Sequence, residues 1–217
     1  HCHITPAREV GGDFYDYFEI DREHFGFVMA DVSGKGVPAA LFMAITRTLL
    51  KATALFVTSP TSCMRKLNDL LAVENDQMMF VTIFYGVLHL PSGRVAYVNA
   101  GHNPPYLRRA DGTVEPVART GGMAVAVSDG FVYREGSVQL APGDLLFLYT
   151  DGITEAFDID AQEYGDQRLE AVLRGLDGQG LEPADVCTAV LADVRQFERG
   201  APQADDITCM ALRWQGA

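Results

Sequence analysis

The run FGFVMADVSGKGVPAALFMA, residues 25–44, decides how the chain is to be read. Its first seven residues form an apolar strand that ends on an acid, Asp31. A buried strand ends on a carboxylate only where something holds the charge. Ser33-Gly34-Lys35-Gly36 then makes a tight turn that presents Asp31, and a helix is expected from Val37 to Phe56. Ala40, Met43, Ala44, Arg47, Leu50 and Ala54 keep helical spacing through it, and no glycine interrupts them. Pro38 falls in the first turn, where a missing N–H costs little.

Outward from that stretch, Ser59 and Pro60 read as an N-cap and first helical residue of a second helix running to about Val73. The two helices make an αα-hairpin. The period then changes to two. Strands are expected at Met79–Leu90, Arg94–Ala100, Tyr106–Arg109 and Thr113–Val117, with turns at Pro91-Ser92-Gly93 and Ala110-Asp111-Gly112. Ser137–Leu140, the turn Ala141–Asp144, and Leu145–Thr150 read as another strand, turn and strand. Helices follow at Arg168–Arg174 and Pro183–Phe197, and Ile207–Trp214 closes the chain as a strand. Hairpin-linked strands imply antiparallel sheets, and the helices come in groups, so the class is α+β: two packed sheets covered by helices.

The bulk numbers bound the function. A chain of 217 residues suits one domain, 1–217, and 48% apolar content is ordinary for a folded protein. The formal charge of −12 repels phosphate backbones and argues against nucleic acid. Cys2, Cys63, Cys187 and Cys209 are scattered without a CxxC pair and read as reduced thiols of a cytoplasmic protein. No apolar run is expected to reach the ~18 residues of a membrane span, and no signal peptide is visible. The chain starts at His1 without a Met, which reads as a domain excised from a longer regulatory protein.

Asp31 has company. Apolar strands also run into Asp151, in LLFLYTDG, and the pair Asp205-Asp206 immediately precedes ITCMALRW. A sheet aligns strand ends at one rim, so these acids should converge, with Asp13 and Asp16 from DFYDYF nearby. Converged anions repel unless a cation sits among them, and hard oxygen donors without His or Cys select Mg²⁺ or Mn²⁺.

EVGGDFYD (9–16), ADVSGKGVPAALFMA (30–44), YVNAGHNPP (97–105), GDLLFLYTDGITEA (143–156) and DDIT (205–208) together resemble the PP2C-type metal-dependent serine/threonine phosphatases, in their bacterial SpoIIE/RsbU branch. The resemblance covers essentially the whole chain, in order. It implies a four-layer α-β-β-α sandwich with two divalent cations, Mn²⁺ or Mg²⁺, at one edge of the sheets. It implies that Asp31 bridges both ions, that Val32 lends its backbone carbonyl, and that Asp151 and Asp205 bind the second ion. Asp13 is carried as a further acid near the centre, with Asp16 after it, and Asp206 as an outer one. The eukaryotic branch has a histidine two positions after the bridging acid; here that position is Ser33, a poor proton donor at neutral pH. Its early phosphate-clamping arginine has no counterpart either.

The implied activity is dephosphorylation of a phosphoserine or phosphothreonine protein by a metal-activated water. The implied substrate is a phosphorylated anti-sigma factor antagonist of the STAS type, in a partner-switching pathway. An upstream sensor or receiver domain would act on the metal centre through the helices after Asp31; a homodimer is left open, and no membrane contact is expected of this domain. Lys35 is a candidate for the substrate phosphate, although the full nucleotide-loop pattern fails at Met29 and Gly36. His102 reads as a loop residue capping backbone groups near Asn99 and Asn103. The competing function is a catalytically degenerate PP2C-fold domain that only binds a partner, which the presence of Asp31, Asp151 and Asp205 disfavours.

Overall fold

A computed structural model describes residues 1–73, 75, 77–176 and 181–216. The strand read at the centre of the sequence extends from His24 to Val32 (β3), and a first consequence of its composition is that both faces are buried. Val28, Ala30 and Val32 point to one side; Phe27 and Met29 point to the other. β3 pairs antiparallel with Phe14–Glu19 (β2) and with Val81–His89 (β4). Arg94–Ala100 (β5) and Gly136–Gln139 (β8) complete a five-stranded sheet in the order β2-β3-β4-β5-β8. The second sheet contains Cys2–Thr5 (β1), Tyr106–Arg108 (β6), Val114–Pro116 (β7), Leu145–Tyr149 (β9) and Ile207–Arg213 (β10), ordered β1-β10-β9-β6-β7.

Helices cover both outer faces. Val37–Ala54 (α1) and Pro60–Ala72 (α2) pack Leu50, Cys63, Met64 and Leu67 onto the first sheet. Asp166–Gly175 (α4) and Pro183–Glu198 (α5) pack Leu169, Leu173, Val186 and Val190 onto the second. Between the sheets lies a third apolar layer with Phe27, Met29, Phe84, Tyr97, Leu146, Leu148 and Met210. The architecture is the expected α-β-β-α sandwich. Its driving force is burial of side chains on alternate sides of strands that are apolar on both faces.

Local signals work as read where a cap or a strong period exists. Ser59 caps α2 by accepting from the Ser62 N–H at 3.4 Å, with Pro60 as the first helical residue. Two readings need correction, and one short strand is missing from them. β8 and β9 are not a hairpin: the turn at 141–144 carries the chain from one sheet to the other, so β8 pairs with β5 and β9 with β6 and β10. The short strand β1 went unread because its partner β10 lies at the far end of the chain. Finally, α1 is long and apolar enough by composition to span a membrane. In the fold it lies on the first sheet, with Arg47 and Lys51 turned to Asp16.

Candidate metal centre

The acids assemble where one rim of each sheet meets the other. Asp31 is the penultimate residue of β3, on the inter-sheet side with Phe27 and Met29. Asp151 opens a single turn of helix, Asp151–Thr154 (α3), directly after β9. Asp205 and Asp206 immediately precede β10, which runs antiparallel beside β9 in the register Cys209↔Tyr149. Antiparallel pairing therefore puts the end of one strand and the start of its neighbour at the same rim. Gly152 is required there: a Cβ would collide with the Asp206 carbonyl oxygen, so only glycine lets the Asp151 turn close onto the Asp205-Asp206 segment.

Asp13 reaches the rim from the loop before β2. It is 3% exposed, and its Oδ2 accepts from the hydroxyls of Thr150 at 2.8 Å and Thr208 at 2.6 Å. The loop is itself held by Asp206, whose carboxylate accepts from the backbone N–H groups of Ala7 at 2.8 Å, Gly12 at 2.7 Å and Asp13 at 3.4 Å. Asp206 thus turns its oxygens to the backbone of the 7–13 loop. Asp205 accepts from the Asp206 N–H at 2.9 Å through Oδ1 and pairs with Lys35 Nζ at 2.9 Å through Oδ2. Lys35 also donates to the Ala204 carbonyl at 2.9 Å. Asp16 lies apart: the alternation of β2 sends it to the helix side with Phe14 and Phe18, where it pairs with Arg47 at 3.1 Å and Lys51 at 3.3 Å.

The electrostatics are those of crowded anions. Burial, then the facing Asp31, pushes the Asp13 carboxyl well above the usual carboxylate range. Burial, then Asp151 and Asp205, does the same to Asp31, and burial with Asp205 raises Asp151. Among the described residues no three ligand-type side chains are drawn close enough together to hold an ion as they stand. The donor set nonetheless fits hard divalent cations: buried, mutually repelling carboxylates, oxygen donors only, and an open backbone carbonyl. That carbonyl is Val32's. A Cβ on Gly12 would lie 3.0 Å from it, so glycine leaves it uncrowded.

Several residues of the rim were not legible as functional. Thr150 and Thr208 stand beside acids within the TDG and DDIT motifs, and that adjacency is the signal that marks them. Ser33, which occupies the position of the eukaryotic branch's histidine, accepts from the Phe80 N–H at 2.9 Å and holds the start of β4. His102 is buried rather than exposed in its loop. Its backbone N–H donates to Asn99 Oδ1 at 2.8 Å, and its ring Nδ1 meets Thr82 Oγ1 at 2.9 Å.

Known proteins resemble this chain both in sequence and in fold. The family model for stage II sporulation protein E (SpoIIE) matches residues 21–215. Protein IcfG of Synechocystis is 31% identical over 96% of the chain and 37% of its own length. The phosphoserine phosphatase RsbU of Bacillus subtilis is 31% identical over 70% of the chain and 45% of its own length. The chain therefore spans less than half of these relatives. In fold it resembles the SiaA-PP2C domain of Pseudomonas aeruginosa, with a TM-score of 0.84 at 24% identity, covering 98% of this chain and 85% of that one.

Proposed function

The chain belongs to the SpoIIE family, whose fold is that of the PP2C-type phosphatases, and from that premise we propose that it hydrolyses phosphoserine or phosphothreonine on a regulatory protein. The observation that carries this reading is the convergence of Asp13, Asp31, Asp151 and Asp205 from both sheets onto one rim, where crowding raises the carboxyl pKa of Asp13, Asp31 and Asp151. Asp31, Asp151 and Asp205, with the Val32 carbonyl, would hold two Mn²⁺ or Mg²⁺ ions, and Asp13 would lie beside them. Bound there, such ions supply positive charge for a phosphoryl group and a water nucleophile at neutral pH. The chain's own residues position and neutralise. Thr150 and Thr208 fix the Asp13 carboxylate by donating to it. Asp206 orients the 7–13 loop, and Lys35 offsets the charge of Asp205. Lys35 can reach a substrate phosphate only by leaving that ion pair.

As part of the same proposal, the substrate is a phosphorylated anti-sigma factor antagonist of the STAS type, in a cytoplasmic partner-switching pathway; the likeness to a phosphoserine phosphatase, RsbU, supports the phosphoprotein class. Control by an upstream sensor or receiver domain is supported by a stripe of exposed apolar residues on α1, Val37, Leu41 and Ile45, beside Leu70 of α2. α1 begins six residues after Asp31, so moving it moves a candidate ligand. Equal rates with and without the native upstream region, at matched Mn²⁺, would refute that control. The activity itself is tested by Mn²⁺-dependent phosphate release from a phosphoserine protein. Asp31→Ala and Asp151→Ala should each abolish it, and retained turnover in either would overturn the assignment.

A further inference from the structure

His102 occupies a place that a turn-capping role does not explain. It is 2% exposed, and its contact with Thr82 puts it on the inter-sheet side of the first sheet. Its ring Nδ1 is 2.9 Å from Thr82 Oγ1, and Thr82 stands directly opposite Asp31 in the β3–β4 ladder. Directly opposed residues project from the same face of a sheet with their Cβ atoms about 5 Å apart. The ring's other nitrogen, Nε2, is buried and makes no full hydrogen bond; its backbone neighbour is the Tyr149 carbonyl, a loose contact on the second sheet, two residues before Asp151. The imidazole therefore sits between the neighbour of Asp31 on one sheet and the approach to Asp151 on the other.

We propose that His102 is a positioning residue that sets the separation of Asp31 and Asp151, by holding Thr82 of one sheet against Tyr149 of the other. The tautomer follows from the contacts: Nδ1 accepts from the Thr82 hydroxyl, and the Nε2–H is directed at the Tyr149 carbonyl. His102 touches no reacting group; it acts through Thr82 and through the spacing of the rims. The inference rests on the metal-centre reading above.

The test is Mn²⁺ affinity, measured by titration calorimetry on the 217-residue chain, for Thr82→Val, His102→Gln and His102→Asn, with Asp31→Asn as control. Loss of a group that orients metal ligands typically weakens affinity about 10–100-fold. Thr82→Val, which keeps the side-chain volume, and His102→Gln should each weaken Mn²⁺ binding by about tenfold. Their double variant should be little worse than either, because both break one connection. His102→Asn, whose amide can replace Nδ1 toward Thr82 but falls short of Tyr149, should recover part of the loss; a merely structural core histidine would not be rescued this way. Should His102→Gln not fold, Thr82→Val decides alone. If Asp31→Asn abolishes binding while Thr82→Val binds within about twofold of the unaltered chain, the role of His102 is refuted and the metal centre stands. If Asp31→Asn itself binds normally, the metal centre and this inference fail together.

Discussion

Asp13 shows what the rim costs at the scale of a residue. A carboxylate that is 3% exposed and faces another acid is held there by two threonine hydroxyls, and its pKa rises because burial and Asp31 both oppose its charge. Asp13→Asn keeps an oxygen for both hydroxyls and removes the charge. It should stabilise the metal-free protein by about 1–2 kcal/mol in urea denaturation while impairing Mn²⁺ binding, since functional sites commonly trade stability for activity. His102 gives the opposite pH dependence from a crowded acid. Burial lowers its pKa from 6.5 to about 4, so in that interval the unfolded chain binds a proton the folded chain refuses. Stability must then fall as pH drops through the window, by roughly 2 kcal/mol by pH 5. Urea midpoints at pH 7.5 and pH 5 should separate more for the unaltered chain than for His102→Asn. The candidate acids could be read from sequence because strand-end carboxylates are conspicuous. Thr82 and the burial of His102 could not, because a cross-strand contact leaves no local spacing.

At the scale of elements, the same contrast explains which boundaries were legible. β3, α1 and α2 announce themselves through continuous apolar runs, helical spacing and the Ser59-Pro60 cap. The turn at 141–144 reads locally like a hairpin, but only the packing of two sheets decides that β8 and β9 part company. Asp16 was grouped with the acids by proximity in sequence; the two-residue period of β2 assigns it to α1 instead. α3, one turn long, has too few residues for any period to show. It is fixed by Gly152, whose missing Cβ admits the Asp206 carbonyl. Gly152→Ala should therefore cost about 2 kcal/mol or more, the usual penalty for overpacking against backbone, and should weaken Mn²⁺ binding by displacing Asp205. A thermal midpoint within about 1 °C of the unaltered chain would show that the turn can yield.

For the whole molecule, the centre is a joint between two halves. Asp31 belongs to one sheet, while Asp151 and Asp205 flank strands of the other, so ions bound among them would tie the sheets together as well as serve catalysis. Mn²⁺ at about 100 times its Kd should add roughly 2.7 kcal/mol of stability, read as a rise in Tm by calorimetry. Asp31→Asn should show no such rise, and a full rise in that variant would place the ion elsewhere. The pairing of β1 with β10 adds a mechanical corollary. The amino group of His1 donates to the Ala211 carbonyl at 2.9 Å, and Thr5 lies opposite Ile207, two positions from Asp205. A tether fused ahead of His1 would pull in line with the strand that delivers Asp205, so tension at the leading end of the chain would be passed through β10 to the acids.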